Sequence, residues 1–139
     1  MIEKIFSKKD KNKLLHIIHR PPDNDPASRT DIVPASEFIQ CSWLKMHEGT
    51  TFKPHRHIYK KTSYREHIAQ ESWVVVKGSV ECRLYDLDNS LLHTTILRAG
   101  EASFTLEGGH TYTILDDDTL VYEYKTGPYE GQKLDKEFI

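Results

Sequence analysis

The sequence predicts an all-β domain, a sandwich or small barrel, and three observations carry that expectation. Short apolar runs of strand length follow one another from residue 37 to residue 125, each closed by turn-forming residues. Within them polar and apolar residues alternate: Val80, Cys82 and Leu84 against Glu81, Arg83 and Tyr85, the period of a strand with one dry face. No long stretch repeats its apolar residues at helical spacing.

Taken in order, residues 1–13 are charged and are expected to fray, and Leu14 to Ile18 (LLHII) is the first strand. Arg20 to Ser36 holds four of the six prolines, Pro21, Pro22, Pro26 and Pro34, which oppose both helix and central strand. Residues 1–36 therefore read as a strand and an irregular Pro-rich arm packed on the domain, and residues 37–139 as a single barrel domain. Its strands are expected at Phe38 to Met46, Ser72 to Val76, Val80 to Tyr85, Leu91 to Leu97, Ala102 to Leu106, Thr111 to Leu115 and Leu120 to Lys125. Gly49, Gly78, Asp88-Asn89, Gly100, Gly108-Gly109 and Asp116 to Asp118 mark the turns between them.

A chain of 139 residues suits one domain and has enough interior for a pocket. Its formal net charge of −2 gives no general attraction to nucleic acid or to an anionic membrane, so neither is an expected partner. The basic N-terminus lacks the apolar stretch of a secretory signal, and no run approaches a membrane span; the expected location is cytoplasmic. Cys41 and Cys82 lie in alternating segments and read as reduced, half-buried strand residues.

One constellation carries chemistry. Gly49 is followed after five residues by His55-Arg56-His57, then by Glu71 and Gly78, and His110 follows Gly100 by ten residues. On a strand, His55 and His57 would share one face, and two imidazoles with a carboxylate suit a divalent transition metal. Glu66 is the rival carboxylate; Glu71 is preferred because it opens an apolar strand and stands seven residues before Gly78.

This spacing resembles the two motifs of the cupin superfamily. The resemblance implies a cupin double-stranded β-helix, a small jelly-roll barrel, holding one metal through His55, His57, Glu71 and His110 with open positions for water or substrate. The metal would be Zn, Fe, Mn or Ni. Residues 39–57 (IQCSWLKMHEGTTFKPHRH), Glu71-Ser-Trp73, His110-Thr111, VYEYKTGPY from Val121 and Asp135-Lys-Glu-Phe138 are similar to small cupin-fold metalloproteins encoded in bacterial O-antigen and surface-polysaccharide clusters. That likeness implies a small anionic, carbohydrate-like ligand. By analogy with cupins that pair through outer strands, it also implies a homodimer.

From Gly49 to Arg65 there is no carboxylate after Glu48, and Arg56, Lys60 and Arg65 are candidate substrate-binding residues for an anionic group. His67 and Tyr112 are candidate acid–base residues, Tyr112 because it alternates in phase with His110. His16, His19, His47 and His93 read as surface or satisfied strand residues, Tyr122 and Tyr124 as packing, and Trp43 and Trp73 as core or interface aromatics. The expected function is a metal-dependent isomerase or epimerase of a sugar or nucleotide-sugar derivative. The competing readings are a metal-independent nucleotide-sugar ketoisomerase, a non-haem iron dioxygenase and a non-catalytic sugar- or metal-binding module.

Overall fold

A computed structural model describes residues 1–22, 29–57, 59, 67–128 and 131–139. Its elements are β1 (Ile2–Phe6), β2 (Leu14–His19), β3 (Arg29–Asp31), β4 (Ser42–Leu44), β5 (Glu71–Lys77), β6 (Ser79–Tyr85), β7 (Leu91–Arg98), β8 (Ala102–Thr105), β9 (Gly109–Ile114), β10 (Leu120–Lys125) and a single helical turn, α1 (Gln132–Asp135). The expected all-β architecture is present, and every strand pair is antiparallel. The strands form a five-stranded sheet in the order β1-β2-β8-β5-β10, a three-stranded sheet in the order β7-β6-β9, and the ribbon β3-β4. Among the described residues no ladder joins these sheets into a closed barrel. Nor is any described helix long and apolar enough to cross a membrane.

Alternation within each strand decides what the sheets bury. Ile5, Ile18 and Val75 from the five-stranded sheet meet Val80, Cys82, Leu84 and Leu97 from the three-stranded sheet in one apolar cluster. The neighbouring residues point the other way. Ile17, Ala102 and Phe104 lie on the opposite face of the five-stranded sheet, under Ile32, Val33 and Ile39, with Cys41 and Trp43 at the margin. The five-stranded sheet is thus covered on both faces, which is why β2 is buried along nearly its whole length. Each fully buried aliphatic side chain here contributes about 1.5–3 kcal/mol of transfer free energy.

Two stretches differ from the sequence reading. The N-terminus does not fray: β1 pairs with β2 from Ile2 to Phe6, its charged Glu3 reaching Arg20 at 3.1 Å while Ile5 enters the core. Beyond β1, the buried Asp86 carboxylate accepts from the Ser7 hydroxyl at 2.6 Å and from the Lys8 and Leu87 backbone N–H groups at 2.7 and 2.8 Å. This holds the strand's end against the β6–β7 turn. The expected strand from Phe38 to Met46 shrinks to Ser42–Leu44, because Ile39 gives its backbone N–H to the Gln70 side chain at 2.9 Å and its own side chain covers the sheet. Tyr122 and Tyr124 are exposed, not packed.

Candidate functional site

Register builds the site. Lys125, Glu71, Thr105 and His16 are successive partners across β10, β5, β8 and β2, so their side chains form one row on one face of the sheet. Two residues along, Glu123, Trp73, Ser103 and Ile18 form the next row, and beyond them Val75 belongs to the apolar core. The opposing sheet answers in phase: His110 and Tyr112 from β9 face these rows. Between the sheets the interior therefore grades from aliphatic, through a Trp–Tyr layer, to a polar layer at one end.

In that polar layer His110 Nε2 donates to Glu71 Oε1 at 3.0 Å. Burial resists ionisation of Glu71, but the His110 hydrogen bond and the positive charges of His110, Lys136 and Lys125 outweigh it and hold the carboxyl below its usual range. The other ring nitrogen of His110, Nδ1, is buried with no partner among the described residues. His16 lies behind the pair with no exposed surface. Its Nε2 is 3.0 Å from the Tyr85 carbonyl, which can only accept, so Nε2 carries the hydrogen and Nδ1 accepts from the Thr105 hydroxyl at 3.2 Å. Burial pushes this imidazole down to about 4, so it is neutral at physiological pH.

The His16 ring also supports the turn that presents His110. Gly108, at φ 82°, passes so close that a Cβ would lie 2.6 Å from the Tyr85 carbonyl oxygen and 3.2 Å from His16 Nε2. Only glycine fits both the backbone conformation and the space.

Tyr112 stacks on Trp73 with ring centroids 4.0 Å apart and planes 8° from parallel. Its hydroxyl pairs with Ser103 Oγ at 2.8 Å, and burial pushes the phenol well above its usual range. It forms a wall of the site and holds its proton. Cys82, beside it, has its thiol pushed up to about 12 by burial; both cysteines are free.

A cavity of about 680 Å³ opens from the polar layer. Glu71, His110, Thr105, Trp73 and Tyr112 form its inner wall, and Lys125 with residues 135–139 forms the outer one.

Of the residues singled out in the sequence, Glu71 and His110 meet. His55 and His57 sit on an exposed segment that is not a strand, their rings 5.5 Å apart, with His55 Nδ1 3.0 Å from the Lys53 carbonyl oxygen. Among the described residues no group of three or more His, Cys, Asp and Glu gathers as a metal shell. The four candidate ligands thus form two pairs. The inner pair fits a divalent ion: two donors each about 2.1 Å from one metal stand about 2.9–3.4 Å apart, and Glu71 Oε1 and His110 Nε2 are separated by 3.0 Å.

Arg56 is exposed, and His67 is exposed with its ring against Phe38 at 4.9 Å. Lys60, Arg65 and Glu66 lie outside the described residues. Sequence reasoning missed Lys125 and the cavity role of residues 135–139; His16, read as a surface or satisfied strand residue, is the satisfied kind and stands behind the Glu71–His110 pair. For His16 a signal existed, since a histidine inside the apolar run LLHII must find partners if that strand is covered on both faces.

No family model, curated protein or solved structure matches the chain.

Proposed function

We propose that the chain is a small cupin-type protein that binds a divalent transition metal through Glu71 and His110, completed by His55 and His57, and isomerises or epimerises a small anionic carbohydrate derivative. The observation that carries this reading is the pair of donors from facing sheets, Glu71 Oε1 and His110 Nε2, 3.0 Å apart at the wall of a cavity sized for a sugar. When bound, the metal would supply Lewis-acid polarisation of a carbonyl or diol. The chain's own residues do the rest. Ionised Glu71 accepts from incoming hydroxyls, Lys125 and Lys136 are the lysines of the cavity lining that can meet an anionic group, and the Trp73–Tyr112 stack gives a rigid apolar floor.

A second reading is favoured by the same contact seen as a hydrogen bond. An imidazole oriented by a carboxylate is a general acid–base arrangement that needs no metal, and it suits a nucleotide-sugar ketoisomerase or epimerase. Elemental analysis of the purified protein beside His55→Ala/His57→Ala and Glu71→Gln variants separates the two. Near-stoichiometric metal in the wild type, lost in both variants, is expected. Metal-free protein whose turnover of nucleotide sugars survives chelation but not Glu71→Gln would replace the first reading by the second. Stoichiometric iron would turn the chemistry toward oxygenation.

A further inference from the structure

The outer wall of the cavity is made by the chain's own last residues, and three features of that wall belong together. Lys125 Nζ meets Asp135 Oδ2 at 2.9 Å, and the two side chains are only 20% and 11% exposed, so this pair is sheltered at the mouth and is no surface contact. Lys125 is the register partner of Glu71, which places its ammonium one strand from the candidate centre. On the facing sheet, Ile139 Cδ1 rests 2.6 Å from the position a Cβ would take on Gly109, the residue before His110. The segment therefore spans the mouth from one sheet to the other.

Its hold is weak by construction. α1 is one turn long, and Leu134, Phe138 and Ile139 are 77%, 80% and 63% exposed, so the segment buries little apolar surface. What fixes it is an ion pair, and a lysine ammonium serves one oxyanion as well as another. Exchange of the Asp135 carboxylate for a phosphate or carboxylate of an entering ligand would leave the lysine paired throughout.

We propose that residues 131–139 are a displaceable plug, in which Asp135 occupies on Lys125 the place that the anionic group of the ligand takes when it enters the cavity. This rests on the reading above that the cavity accepts an anionic small molecule. It moves the anion-recognition role from the segment around Arg56 to the last strand. It also makes ligand binding and opening of the mouth one event, since the group that binds the anion is the group that held the plug.

The test uses the full chain with inorganic phosphate as the probe, read by calorimetric titration and by hydrogen exchange of the amides of residues 131–139. In the wild type, phosphate is expected to bind and to speed exchange of those amides. Asp135→Asn should bind phosphate about tenfold more tightly, the factor expected when a sheltered competing carboxylate is removed, and its last residues should exchange fast without phosphate. Lys125→Gln should weaken phosphate binding and leave those amides fast under both conditions. Phosphate affinity unchanged by Asp135→Asn, or exchange of residues 131–139 unmoved by bound phosphate, overturns the plug and leaves the anion-binding cavity standing. Failure of both wild type and Asp135→Asn to bind phosphate overturns both.

Discussion

Replacing His16 by Gln removes a titrating group from the interior, and the structure fixes the pH at which that matters. The imidazole is fully buried, with one nitrogen donating to the Tyr85 carbonyl and the other accepting from Thr105. Burial, with smaller contributions from the charges of His110 and His93, lowers its pKa from 6.5 to about 4, against the opposing pull of the Tyr85 carbonyl and Asp86. Above pH 6.5 the ring is neutral whether the chain is folded or unfolded, and it adds no pH dependence. Between pH 6.5 and about 4 the unfolded chain takes up a proton that the folded chain refuses, so stability falls as the pH falls. The full loss is about 3 kcal/mol, and about 2 kcal/mol of it is reached at pH 5. For a domain stable by about 5–15 kcal/mol this is a large share. In His16→Gln that loss is absent, while the lost ring hydrogen bonds cost about 1–3 kcal/mol at every pH. Urea unfolding of both proteins from pH 7.5 to pH 5 is the assay, because titrating groups that do not interact with His16 cancel in the difference. The gap between the curves should narrow by about 2 kcal/mol toward pH 5. A gap that stays constant over that range would refute the account of a buried, neutral His16.

Two further outcomes follow from backbone and carboxylate geometry. Gly108→Ala and Gly100→Ala share the strain of a positive φ, 82° and 87°, but a Cβ at Gly100 meets nothing within 4 Å whereas one at Gly108 meets the Tyr85 carbonyl at 2.6 Å. Thermal unfolding should show about 1 kcal/mol lost in Gly100→Ala and about 2–4 kcal/mol in Gly108→Ala; equal losses would mean the turn yields freely. Asp86→Asn turns one acceptor oxygen into a donor facing the Lys8 or Leu87 N–H group or the Ser7 hydroxyl. Hydrogen exchange of the β1 amides should then accelerate by about tenfold while that of β5 and β8 changes little. Uniform acceleration would show that the carboxylate supports the whole fold and not that strand's end.

The strands from β5 to β10 were legible because each is a short β-rich run closed by turn residues, and in β6 Val80, Cys82 and Leu84 declare a dry face without help from any neighbour. β1 was not, because its Glu3 and Lys4 read as a solvated tail and only the pairing with β2 makes room for them at a sheet edge. The strand expected over Phe38 to Met46 was overestimated since Ile39 and Cys41 look the same to a periodicity argument whether they join a ladder or cover one. Glu71 and His110 were named from spacing, and they do meet. Thr105 and His16 were not, because 89 residues separate them and register, which no local pattern encodes, brings them together.

The double cover over β2 also sets a timetable for synthesis. Leu14–His19 emerges early, but the strand that pairs with it, β8, is completed 89 residues after His16. At about 5–20 residues per second the apolar run waits roughly 4–18 s for that partner. During this interval β1 can cover one edge of the run, but the edge that β8 will take is open and of the kind that associates between chains. Lys8, Lys9, Lys11 and Lys13 immediately before it and Arg20 immediately after it place like charges at both ends of the run. Charges so placed oppose association of one such run with another, a role for residues 8–13 apart from their place in the folded sheet.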